Sequence, residues 1–252
     1  MRLVFHQLAA EQRTFWRSRE AAIFIFVFPL LLYSLLSSVY SQDITVDGEK
    51  IASADFLLAG LFGYGAANTA FAGLAIILVG RRETGTLKRL RATPLQPSTY
   101  IIAVILSTLV VFAIQAVALL ALGSGLFGAS APANALGFAG AIVLGVACFA
   151  GMGLGAAALI RSADGASAVV NVVLLPMAFL SGSFGPRTDL PQFLKAVADV
   201  LPLTYFLDIV NGVYLDGDSL FADPGAVAVV AAWGLAGILV ALRRFSWMPR
   251  ES

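Results

Sequence analysis

Charge is what this sequence has least of. Lysine and arginine number 16 and aspartate and glutamate 15 in 252 residues, so 12% of the chain is charged, against roughly a quarter in a soluble domain. Histidine occurs once, at His6, which excludes a two-histidine zinc site and a Ser-His catalytic pair built within one chain. Cysteine also occurs once, at Cys148, so no internal disulfide forms. It sits in an apolar stretch and reads as a small packing residue rather than a redox or ligand group. A net charge of +1 lacks the cationic excess of a nucleic-acid binder. No catalytic group and no metal-ligand set emerges.

Apolar sequence fills the space that charge leaves. The hydrophobic fraction is 59% and the mean hydropathy +0.88, more apolar surface than one globule of this size buries. A helix needs about 20 apolar residues to cross the hydrocarbon core. Six stretches of about that length contain no Asp, Glu, Lys or Arg, at about 21–40, 56–80, 99–127, 135–160, 166–184 and 225–242. The expected fold is an all-α polytopic membrane protein with six transmembrane helices over 21–242, preceded by an interfacial helix within 1–20 and followed by a tail over 243–252.

Charge is segregated along the chain. With the amino terminus inside, the inner segments hold 13 basic residues and the outer ones 3, while acidic residues divide 5 inside to 10 outside. Lysine and arginine bias in short loops sets orientation, so both termini are expected to face the cytoplasm. A seventh span at 194–215 is rejected, because it would bury Lys195, Asp199 and Asp208 at roughly 2.5 to 3.5 kcal/mol each. Leu190, Phe193, Leu194, Val197, Ala198 and Leu201 recur at helical spacing, predicting a short amphipathic helix that breaks near Pro202. The first 20 residues carry Arg13, Arg17 and Glu20 without a signal-cleavage pattern, so the first span is expected to be an anchor. Val4, Phe5, Leu8, Phe15 and Trp16, interleaved with polar residues, suit a helix lying on the membrane surface.

Several motifs imitate chemistry. Gly80, Gly85 and Thr86 approximate a phosphate-binding loop, but the required lysine and the preceding strand are missing. Gly151, Gly153 and Gly155 fall within an apolar helix, where small residues allow close helix packing rather than dinucleotide binding. Gly182 and Ser183 suggest an intramembrane serine protease, yet no base lies in the bilayer to activate the serine. The spans lack Asp, Glu, Lys and Arg, which argues against a proton- or sodium-coupled carrier. Their polar groups are amides and hydroxyls, chiefly Asn68, Thr69, Gln115, Asn171 and Ser181. With Phe24, Phe26, Phe28, Tyr33, Phe62, Tyr64, Phe71 and Phe179, they suit an amphipathic organic solute, although interhelical packing or hydrogen bonding is the more common use of any one of them.

The loop between the second and third spans is too basic and too patterned for a bare connector. Leu87 and Leu90 fall on one side of a short helix flanked by Lys88, Arg89 and Arg91, with Gly85 permitting the turn into it and Pro94 ending it. Leucines and cations presented together suit a groove on a soluble partner; a loop that merely touches anionic headgroups is the alternative.

Two stretches carry a resemblance that covers essentially the whole chain. Residues 82–95, from Arg82, Glu83 and Thr84 through Gly85, Thr86 and Leu87 to Pro94 and Leu95, are similar to the coupling-helix region of the ATP-binding cassette type-2 exporter permeases. Pro176, Phe179 to Gly182, Pro186, Leu190 and Pro191, and Leu201 to Tyr205 resemble the outer part of the same family. The size and short loops look most like its daunorubicin-type drug-export branch. The resemblance implies a six-span subunit that pairs with a second permease subunit, identical or homologous, and with two ATP-binding cassette subunits. Those subunits would hold the ATP and Mg, and this chain would have no cofactor or hydrolysis site of its own. Glu83, Gly85, Thr86, Leu87, Arg89 and Leu90 would transmit closure of the cassettes. Phe28, Tyr33, Asn68, Phe71, Asn171, Phe179, Leu180 and Ser181 would line the substrate path or gate, along the first, second and fifth spans. Residues 189–214 would form extracellular helices before the last span. The implied setting is a bacterial inner membrane, with multidrug efflux and antibiotic resistance as the role, membrane lipid around the chain and a small amphipathic substrate. A polysaccharide or glycolipid exporter shares these motifs and is the alternative, ahead of a secondary carrier, a channel or a non-transporting scaffold. One departure stands out: many members carry an arginine beyond Tyr205, whereas this chain has Asp208, Asn211 and Gly212, so no charge-based role is carried to Asn211.

Overall fold

The computed structural model describes residues 2–40, 43–46, 49–188 and 190–248. The last four residues of the expected tail, 249–252, and Asp189 at the start of the expected extracellular helices, lie outside the described residues. In chain order the elements are α1 (Arg2–Arg17), α2 (Arg19–Val39), the strands β1 (Ile44–Val46) and β2 (Glu49–Ile51), α3 (Ser53–Ala66), α4 (Leu74–Glu83), α5 (Thr86–Arg91), α6 (Pro97–Leu126), α7 (Ala135–Leu159), α8 (Ala163–Ser181), α9 (Gln192–Ala198), α10 (Pro202–Asn211) and α11 (Pro224–Arg244). A π-helical stretch, Ala67–Gly73, joins α3 to α4 without a break, so the two make one span of 31 residues.

Among the described residues, six helices are long and apolar enough to cross a bilayer, and the chain is an all-α polytopic membrane protein. A small antiparallel hairpin, with Ile44 opposite Ile51, departs from that pattern between the first two spans. The region considered for a seventh span forms two short helices, α9 and α10, broken at Leu201.

Local chemistry sets the helix ends. Asn134 accepts from Gly137 N at 2.8 Å to start α7, and Asp223 accepts from Gly225 N and Ala226 N at 2.8 and 3.0 Å to start α11, the usual role of an N-cap oxygen. α8 stops at Gly182, whose φ of 89° a residue with a Cβ rarely adopts. The second span outruns its apolar run. At 1.5 Å per residue it is about 46 Å long, against about 30 Å of hydrocarbon, so its last turn, with Arg81, Arg82 and Glu83, projects beyond the lipid tails.

The six spans are not equivalent. In the second, 83% of the apolar window is buried within the protein, against 17% in the first, 28% in the fifth and 22% in the sixth. Its small residues admit neighbours closely: a Cβ at Gly153 of α7 would stand 2.8 Å from the carbonyls of Ala70 and Phe71. α7 in turn packs on α11 through Gly151 and Gly155, which face Gly234 and Gly237 backbone to backbone. That is the close-packing use of small residues in membrane helices.

α1 lies against the second and third spans rather than standing apart. Glu11, 8% exposed, pairs with Arg81 at 2.7 Å, and Gln12 Nε2 donates to Ser107 O and Oγ, both at 2.9 Å. Arg81 Nη1 also donates to Tyr100 Oη at 2.7 Å. α1 is thereby fastened to the bundle at the end where α5 sits.

Candidate functional site

The segment from Gly80 to Pro97 folds as a joint. Gly85 takes φ 71°, the left-handed conformation that turns the chain from α4 into α5. Immediately before the turn, two consecutive charged residues reach to different helices. Arg82, 1% exposed, donates to Ala157 O at 2.9 Å, Ile160 O at 2.6 Å and Arg161 O at 3.2 Å. It thus covers the unpaired carbonyls at the carboxyl end of α7. Glu83 Oε2 accepts from Ala163 N at 2.6 Å, the first residue of α8. A cation at a helix carboxyl end and an anion at an amino end each match the local dipole. One dipeptide therefore grips the ends of the fourth and fifth spans together.

The orientation of α5 corrects the expectation that its leucines face a partner. Leu87 is fully buried within the core and Leu90 is half-buried against it. In a short helix at a membrane surface, the apolar face gains more by packing on the bundle than by waiting in water. Lys88, Arg89 and Arg91 face outward, and Arg89 Nη2 donates back to Thr84 O at 3.3 Å. Thr86 is half-buried, with its hydroxyl 3.0 Å from that of Thr84. The outward face of α5 is cationic.

The residues expected along a substrate path do not meet in one place. Phe28 stacks on Phe24 at a centroid distance of 5.3 Å and lies 6.1 Å from Tyr64. Tyr64 is 5.2 Å from Phe184, which is 4.9 Å from Phe179. These rings form a row from the first span across the second to the end of the fifth. Its Phe24 and Phe179 ends are exposed. Leu180 is half-buried beside the row, and Asn171 is exposed on α8, donating to Ser167 O one turn back at 2.8 Å. Tyr33, Asn68 and Phe71 are core residues instead. Tyr33 is fully buried, donates to Ala54 O at 3.2 Å and packs edge-on against Phe127. Asn68 and Phe71 are buried in the π-helical stretch.

Ser181 reaches a different feature. At the end of the bundle remote from α5, a cavity of about 570 Å³ is lined by Ser181, Arg187, Asp199, Asp208, Asn211 and Asp223, among others. Ser181 Oγ lies 3.0 Å from Thr204 Oγ1, which donates to Ala198 O at 2.7 Å. Arg187 approaches Asp199 at 3.9 Å and Asp208 at 3.7 Å. Burial raises the Asp208 carboxyl above the usual carboxylate range; Arg187 opposes that shift, and Asp223 and Asp199 add to it.

Four structural actors escape a reading of the sequence. Arg82 looks like an orientation charge at the end of an apolar run, and nothing local marks it as buried. Glu11 and Arg81 are 70 positions apart and meet at 2.7 Å. Phe184 joins the aromatic row from a loop.

Comparison with known proteins adds a family. Residues 2–215 match the model of the ABC-2 type transporter family. The chain is similar to the inner membrane transport permease YhhJ of Escherichia coli (strain K12), at 28% identity over 178 residues, 68% of this chain and 48% of YhhJ. It is similar also to the probable multidrug ABC transporter permease YbhR of the same strain, at 30% identity over 140 residues, 55% of this chain and 38% of YbhR. The chain spans half or less of the length of these curated relatives.

Proposed function

The chain belongs to the ABC-2 type transporter family, and from that premise we propose that it is the membrane-spanning permease subunit of an ATP-driven exporter. In this reading it works with a second permease subunit and two ATP-binding cassette subunits, which hold the ATP and Mg. The substrate is an amphipathic drug or lipid-like molecule, moved outward from the cytoplasm or inner leaflet. The orientation that goes with it places both termini and α5 in the cytoplasm, as the basic residues on that side favour.

The observation that carries the proposal is the joint around α5. A short helix with an outward cationic face, and Leu87 buried beneath it, is suited to receive a push from a soluble partner. Arg82 and Glu83 pass that push to the ends of the fourth and fifth spans. Nucleotide binding would bring the cassettes together, α5 would move with them, and the fifth span with its exposed Phe179 would shift relative to the first. Direction follows if the inward and outward states differ in affinity for the substrate. The drug-like class is favoured by the exposed aromatic row and by the name of the relative YbhR, a probable multidrug permease.

Co-purification of the tagged chain from its native membrane in mild detergent, with mass determination and an ATPase assay, tests the proposal. The expected result is a stoichiometric ATPase that is released by Arg89→Glu on the face of α5. A lone oligomer without ATPase activity would point instead to a secondary carrier or channel.

A further inference from the structure

A second cavity, of about 380 Å³, opens on the side of the bundle that carries α1. Its size falls in the range of small-molecule sites, roughly 300–1,000 Å³. It adjoins the α5 joint through Gly80, Arg81 and Thr84, and no residue of the aromatic row lines it. Its walls are Ile25 of the first span, Leu74 and Ile76 of the second, and Val104 and Val111 of the third. Hydroxyls on the walls are already engaged, since Thr14, Thr84 and Thr108 donate to the carbonyls one turn back, Ala10 O, Gly80 O and Val104 O, at 2.9, 3.0 and 3.0 Å. The lining is therefore apolar along most of its length.

Its polar end is the ion pair of Glu11 and Arg81 at 2.7 Å. Arginine has five N–H donors, and the bonds to Glu11 and Tyr100 use the two Nη atoms. The pair has no net charge. A ligand bearing net charge would leave one charge uncompensated in a poorly hydrated place, which is costly. A zwitterion adds none: its phosphate can face the guanidinium while its ammonium faces the carboxylate.

Gly80 shows how much room the space leaves along the second span. It lines the cavity, and a Cβ built on it would meet nothing within 4 Å. Glycine weakens a helix interior relative to alanine, and no neighbour here requires its small size. The same holds for Gly73, two turns earlier, where the nearest atom to a Cβ is Asn68 O at 3.5 Å. In the α7–α11 contact, by contrast, every glycine named above touches backbone.

We propose that this cavity binds one zwitterionic phospholipid of the phosphatidylethanolamine type, taken from the leaflet on the α1 side. The headgroup sits on the Arg81–Glu11 pair and part of an acyl chain runs along Ile25, Ile76 and Val104. Bound there, the lipid braces α1 against the spans. The assignment does not depend on the exporter reading, because it requires only that the chain sits in a bilayer.

The test uses the full chain as purified from its membrane, delipidated in detergent and titrated with phosphatidylethanolamine or phosphatidylglycerol under native mass spectrometry. One phosphatidylethanolamine per chain should bind at least about tenfold more tightly than phosphatidylglycerol. Gly80→Leu should fill the cavity and weaken that binding tenfold or more, while Gly80→Ala keeps it and both variants melt no lower than the parent. Glu11→Gln should remove the preference by leaving Arg81 as the dominant charge. Equal binding of the two lipids, or binding indifferent to Gly80→Leu, would reduce the lipid to a general boundary layer and overturn the assignment. A preference for phosphatidylglycerol in the parent protein would overturn the headgroup.

Discussion

At the α5 end of the bundle, Arg81, Arg82 and Glu83 bond to Glu11, Ile160 and Ala163 at 2.7, 2.6 and 2.6 Å. At the opposite end, the cavity's carboxylates outnumber its cations, and Arg187 approaches its two partners at 3.9 and 3.7 Å. The first end buries Arg82 and Glu11 and must satisfy each of them, because a buried unpaired charge is costly; Glu83 beside them is exposed. The second leaves its charges in contact with water, where loose pairing is worth little. Charge at one end is a fastening; at the other it tunes an opening.

Substitutions at the two ends should therefore differ in kind. Arg82→Leu should have the largest effect, lowering stability by about 3–5 kcal/mol as the carboxyl end of α7 loses its covering cation. Denaturation in detergent measures it, and a loss under about 1 kcal/mol would make Arg82 a surface charge. Leu87→Ala comes next, at about 2 kcal/mol or more, whereas Lys88→Ala on the outer face should stay within about 0.5 kcal/mol. If Lys88→Ala were the more damaging of the two, the assigned faces of α5 would be reversed. Glu83→Gln should cost about 1 kcal/mol, because an amide still accepts from Ala163 N but no longer opposes the dipole of α8.

The smallest effect is expected at the far end and should depend on pH. Burial raises the Asp208 pKa in the folded chain, so the folded state favours the protonated carboxyl. Its favourable contribution is full below the ordinary aspartate value and is lost as pH rises through the raised one. Asp208→Asn should thus melt slightly higher than the parent at neutral pH, with the gap closing in acid. Melting curves across pH would sharpen the contrast; a variant that melts lower at neutral pH would show that the bond to Arg187 outweighs burial.

Much of the frame was legible because hydrocarbon imposes a length. Six apolar runs, each near the thickness of a bilayer, announce six spans whatever their neighbours are. Which span is central was hidden. The second has a mean hydropathy of 1.6, below the 2.3 of the first, yet is far more buried, because lipid and protein interior are equally apolar and hydropathy cannot tell them apart. The face of α5 was hidden for a related reason. Helical spacing puts Leu87 and Leu90 on one side, but it does not say whether that side meets the bundle or a partner. Gly151 and Gly155, whose spacing signals close packing, meet Gly234 and Gly237 as expected. The aromatic row was half legible: Phe28 and Phe179 stand out in their runs, but Tyr64 and Phe184 connect them only in three dimensions.

The central claim is that α5 and the start of the fifth span move as one body, held by Glu83 while Arg82 holds the end of the fourth. Spin labels at Lys88→Cys and Ser167→Cys, on a Cys148→Ala background, would report the distance between them in the purified protein by pulsed electron resonance. The distance distribution should be the same without nucleotide and with ATP trapped. A shift of its maximum beyond its own width would show that α5 moves independently of the fifth span, and would contradict the account.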